Sequence, residues 1–187
     1  MKILALVCGV FLLLFTSNLH ASNITFKSCS SSEKKQVKKA VKWLKSNMGK
    51  IDAKMGKNGL KAWPGNSRKK FKKKLGKKLK FVCVNDRRKC KPNKKKGTIL
   101  LGQVIPIFKQ KTIHLCTENF FKVEGTAKAI RARYAATIAH EVAHLVRLNA
   151  HRKDCAKYTK PRFSQSVGLA TYHGYLKIRY RASDYGC

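Results

Sequence analysis

From Ala135 to Val146 the chain carries no lysine or arginine, although those two residue types make up 43 of its 187 residues. Within this interval Thr137, Ile138, Ala139, Val142, Ala143, Leu145 and Val146 surround three polar residues, His140, Glu141 and His144. So apolar a segment must be buried, and histidines carried inside with it must find partners. As a helix, the segment projects His140 and His144 from one face, one turn apart, with Glu141 beside them. Both ring nitrogens can then reach one zinc ion, and the carboxylate is placed to take a proton from a water at the open position. A chance His-Glu-x-x-His on a solvated helix would have charged flanks; these are aliphatic. The rest of the chain is therefore expected to fold around this helix.

The N-terminus reads as an export signal. Met1-Lys2 precedes an apolar run from Ile3 to Phe15 and a small-residue exit at Leu19-His20-Ala21, which divides the chain into a leader, 1–21, and a single domain, 22–187. The run falls short of the ~20 residues a membrane span requires, and nothing later in the sequence resembles a span. A secreted chain, extracellular or periplasmic and monomeric, is the expectation. Loss of Cys8 with the leader leaves Cys29, Cys83, Cys90, Cys116, Cys155 and Cys187, an even set that in an exported protein implies disulfides. Proximity favours Cys83 with Cys90 and Cys155 with Cys187. A cysteine metal cluster is disfavoured because no Cys-x-x-Cys pair is present.

Against the 43 basic residues stand 8 acidic ones, a formal net charge of +35. Such a surface adheres to polyanions, with an anionic cell envelope the first candidate. Specific nucleic-acid recognition is not expected, because the densest basic stretch, Arg68 to Lys78, has no interleaved aromatic stack.

Periodicity gives an α+β architecture. A cationic amphipathic helix begins at Ser31 or Ser32, buries Val37, Ala40, Val41, Leu44 and Met48, and ends at Gly49. A loop or short helix follows to Asn66, with Trp63 as a core plug, and a second helix spans 67–78 around Phe71 and Leu75. Strand signals follow at 79–84, 98–105 and 112–116, then a long helix from about Ala127 to Leu148 and a helix-like stretch from Val167 to Tyr180 that holds Tyr172 and His173. Residues 22–31 read as a polar lead.

Two histidines require a third protein ligand, and His151, Asp154, His173 and Asp184 lie downstream. The metzincin pattern is absent, since positions 147 and 150 are Arg and Ala, and no glutamate follows Glu141. The chain resembles the aspzincins, the deuterolysins and peptidyl-lysine metalloendopeptidases. The likeness rests on Trp43-Leu44, Phe81-Val82-Cys83, Thr112-Ile113-His114-Leu115-Cys116, the run Thr137 to His144, and Ala182-Ser183-Asp184-Tyr185. The resemblance implies a zincin-like single domain, a small antiparallel or mixed sheet packed on helices with a central metal-binding active-site helix. It also implies a zinc metalloendopeptidase acting on protein or peptide, with His140, His144 and Asp154 as zinc ligands, Glu141 as base and Tyr158 as oxyanion donor. Here the loop reads His151-Arg152-Lys153-Asp154-Cys155-Ala156-Lys157-Tyr158, without the family's Gly-Thr and with the tyrosine four rather than three residues after the aspartate. Lysine specificity, known in one branch, would need a carboxylate in the receiving pocket, for which Glu118 and Glu124 are candidates; the positive field favours acidic or surface-attached substrates instead. The competing expectation is a cationic envelope-binding or antimicrobial protein whose metal site is structural or vestigial.

Overall fold

A computed structural model describes residues 24–57, 59–85, 90, 100–104, 112–122, 125–146 and 163–179. Among them, six helices and a four-stranded mixed sheet form one α+β arrangement.

The first described element is a strand the sequence did not announce. Ile24–Lys27 (β1) pairs in parallel with Leu79–Cys83 (β2), Ile24 opposite Leu79 and Lys27 opposite Val82. Its alternation is short but real: Ile24 and Phe26 are half-buried against the core, Thr25 and Lys27 exposed, and the Phe26 ring lies 6.0 Å from Phe81. The pairing also corrects the disulfide expectation. By carrying Cys29 to the end of β2, β1 gives Cys83 a partner 54 residues away, and Cys90 bonds instead to Cys116. Cys155 and Cys187 lie outside the described residues.

Helix α1, Ser31–Ser46, starts at an N-cap one residue earlier than expected. Ser30 accepts from the Glu33 N–H while the Glu33 carboxylate accepts from the Ser30 N–H. This reciprocal box satisfies two backbone donors that the first turn would otherwise leave open. The helix ends at Asn47, whose side chain donates to the Trp43 carbonyl, and not at Gly49, which is inside the short helix α2, Met48–Asp52. Met48 and Ile51 thereby reach the core after a change of direction. Helix α3, Ser67–Gly76, buries Phe71 and Leu75, and Trp63 plugs the seam at 5.3 Å from Phe71 and 5.4 Å from Phe163. The indole N–H donates to Asp52, which also holds the Arg68 guanidinium at 2.7 Å.

Of the expected second strand, Gly102–Val104 (β3) is strand and Leu101 is not. It pairs antiparallel with Thr112–Leu115 (β4), giving the order β1-β2-β4-β3 with β3 at the edge. The inward residues Leu79, Phe81, Ile113 and Leu115 are fully buried. Thr117–Lys122 (α4) follows; its buried Asn119 donates to the carbonyls of Cys90 and Leu100, tying down the chain that leads into β3. Ala127–Val146 (α5) then runs through the centre, against α1, α3, α4, β3 and Phe163–Leu176 (α6). No helix among the described residues is long and apolar enough to cross a membrane.

Candidate metal and hydrolytic site

Helix α5 buries most of Ala132 to Ala143, because alanine, β-branched residues and Tyr134 occupy its inner faces. Within that run Arg133, Ala136 and His140 are half-buried, and Glu141 is buried with the apolar residues. His140 and His144 are half-buried, and their Nε2 atoms stand 3.1 Å apart. Two nitrogens at about 2.0–2.1 Å from a tetrahedral zinc are separated by about 3.3 Å, so the pair fits one cation with a shift of a few tenths of an ångström. The same spacing also suits a hydrogen bond between one protonated and one bare ring nitrogen. Imidazole nitrogens on a helix turn, with a carboxyl beside them, are the donor chemistry zinc takes.

Glu141 is 3 % exposed. Burial pushes its pKa up to about 8, while a hydrogen bond from the Val104 backbone pulls it down. The carboxyl thus faces β3. That closeness depends on Gly102: a methyl there would lie 2.7 Å from Thr137 Cγ2, 3.3 Å from the His114 carbonyl oxygen and 3.4 Å from Glu141 Oε1. On the other side, Gly168 of α6 lies against the same helix, where a methyl would sit 3.3 Å from both the Ala136 carbonyl oxygen and His140 Cβ. The motif is therefore held between an edge strand and a helix, each brought close by a glycine.

One turn before the histidines, the gap between these elements opens into a cavity of about 300 Å³, walled by Leu101, Arg133, Ala136, Thr137, Gly168, Leu169 and Tyr172. Neither the cavity nor the two glycines was picked out from the sequence. The available signal was an isolated glycine in a strand pattern, which marks a close approach of backbone.

Asp154, His151, Tyr158 and Asp184 all lie outside the described residues, as does Glu124. His173 is buried on α6 beside Tyr172, with ring centroids 5.7 Å apart. Tyr172 is half-buried at the cavity wall. Glu118 falls in the first turn of α4, away from the cavity walls. One grouping of possible ligands, Cys29, Glu33 and Cys83, has both sulfurs committed to a disulfide and its carboxylate to the α1 cap. The chain matches no protein-family model, no curated protein and no solved structure, so the site is read on its own chemistry.

Proposed function

We propose that the protein is a secreted zinc-dependent endopeptidase of aspzincin-like type, with His140 and His144 as two ligands and Glu141 as general base. The observation that carries this reading is the convergence of the two Nε2 atoms, 3.1 Å apart, beside a carboxyl that is buried against an edge strand. Asp154 is the third ligand in this reading, with His151 its competitor, and Tyr158 is the oxyanion donor.

Zinc bound here would lower the pKa of a coordinated water toward about 7 and polarise a carbonyl. Glu141 takes the proton from the attacking water and returns it to the leaving amine. Burial alone raises its pKa to about 8; a cation held by the neighbouring histidines would favour the carboxylate and so ready it to accept a proton. The Val104 backbone contact fixes its orientation, and β3, the edge strand among the described residues, is where an extended peptide would add. Lysines exposed on α1 and α3 would hold the enzyme to anionic surfaces, so acidic or surface-attached protein, cell-wall peptide included, is the natural substrate.

The same lysine faces favour a second reading, a cationic envelope binder in which the metal site is structural or vestigial. Hydrolysis of a mixed peptide library by wild type and Glu141→Gln separates the two. The peptidase reading expects cleavage that falls at least ~100-fold in the variant, within the range of general-base loss. No hydrolysis by either protein, beside biological activity and adhesion to anionic vesicles that Glu141→Gln leaves intact, would favour the binder.

A further inference from the structure

The cavity beside the motif has a composition unlike the rest of the surface. In a chain of net charge +35, its walls are apolar apart from Arg133 and Thr137, with Leu101, Ala136, Leu169, Tyr172 and the Gly168 backbone completing them. Among the described residues, no carboxylate lines it. Arg133 lines it too, but its guanidinium turns back toward the start of α5, where it lies 3.1 Å from the position a methyl would take on Gly125. At about 300 Å³ the cavity is at the small end of ligand pockets, the size for one side chain and not for a whole cofactor.

Its walls are also the walls of the site. Thr137 touches the Gly102 segment that faces Glu141, and Gly168 packs on His140. A peptide lying along β3 with its carbonyl near Glu141 would bring a neighbouring side chain to this opening.

We propose that this cavity is the specificity pocket of the peptidase and that it takes a large apolar side chain, leucine or phenylalanine, from the residue adjoining the cut bond. This rests on the peptidase reading above. Lysine and arginine are rejected there: to a buried positive charge the described lining offers Arg133 and no carboxylate. The long-range positive field therefore selects where the enzyme works, and the pocket selects which bond it cuts. Ala136 sets the depth, because its small side chain leaves the space that a larger one would fill.

The test is the ratio of cleavage next to leucine or phenylalanine to cleavage next to alanine, measured for wild type, Ala136→Leu and Leu169→Ala on peptides that differ at one position. A lost methylene-sized contact in an apolar pocket changes selectivity by about 10–200-fold. Ala136→Leu should lower the ratio at least tenfold, and Leu169→Ala should shift preference toward tryptophan. A second readout needs no turnover. N-acetyl-phenylalanine amide titrated into metal-free protein should shift the Leu101 and Leu169 methyl resonances, and the glycine and lysine amides should not; Ala136→Leu should abolish the response. Cleavage by wild type with no apolar preference, or a ratio unchanged in both variants, would overturn the pocket and leave the peptidase reading standing. Absence of cleavage in wild type, with the amide response intact, would remove the peptidase reading and with it the pocket's role in substrate choice.

Discussion

Gly102→Ala is the sharpest perturbation of the packing that places the edge strand on the motif helix. The added carbon would lie 2.7 Å from Thr137 Cγ2, with the His114 carbonyl at 3.3 Å and Glu141 Oε1 at 3.4 Å. Carbon atoms in good contact stay about 3.5–4.0 Å apart, so roughly 1 Å must be recovered. Thr137 is branched and sits in the interior of α5, where few rotamers are open to it, so the strand has to move. Overpacking of this kind costs about 1–3 kcal/mol. For a chain this size each kcal/mol lowers Tm by about 2–4 °C, which makes the loss visible in thermal or denaturant unfolding. Thr137→Ser removes the clashing methyl and keeps the hydroxyl, so the double variant should recover part of the loss, with a coupling energy of about 1 kcal/mol or more. Hydrolysis should suffer beyond stability: displacement of the Val104 contact to Glu141 by about 1 Å can cost about 100-fold. If Gly102→Ala unfolds within about 0.5 kcal/mol of wild type, or the two substitutions simply add, the close approach of β3 to α5 is wrong.

Tyr134 is fully buried, stacked on Phe120 at 4.0 Å, and its hydroxyl has no hydrogen-bond partner among the described residues. Tyr134→Phe should therefore stabilise the protein at neutral pH by about 1 kcal/mol, measured by urea unfolding. Burial, with Glu33 adding to it, pushes the Tyr134 pKa up from 10.0 to about 12. The unfolded chain releases this proton first, so stability falls as pH rises from 10 and levels off above about 12. The phenylalanine variant should lack that drop, and a matching drop in both would trace it to other groups. The Cys29–Cys83 bond closes a 54-residue separation, worth about 4 kcal/mol in the chain-entropy account, against about 3.5 for the 26 residues between Cys90 and Cys116. Replacing Cys29 and Cys83 by serine should cost more than replacing the other pair and should expose the β1 amides to hydrogen exchange. Retained protection at 24–27 would show that β1 pairs without its clamp.

The helices were legible because their patterns are long. Lysine on one side and Val37, Ala40, Val41 and Leu44 on the other leave α1 no alternative, and the lysine-free run does the same for α5. What escaped was short or decided at a distance. Four residues of β1 carry too little alternation to outweigh a polar context, and without β1 the partner of Cys83 could not be seen. The α1 boundaries were misread for local reasons. Ser30 and Glu33 form a capping box that the two serines after Ser30 obscured, and Asn47 capped the Trp43 carbonyl ahead of the more conspicuous Gly49. At the site, His140, Glu141 and His144 could be named because their spacing is helical. Their surroundings could not, since Gly102 and Gly168 matter only once β3 and α6 are docked on α5.

Metal stoichiometry tests the central claim most directly. Purified protein, stripped with chelator, dialysed against zinc and washed, should hold one zinc per chain by elemental analysis. Glu141→Gln should hold the same amount, and His140→Ala and His144→Ala should each lose it while keeping the thermal transition of metal-free wild type. Zinc absent from the wild type, or equally present in both alanine variants, would mean that the 3.1 Å nitrogen pair is a hydrogen bond between two histidines and not a metal centre.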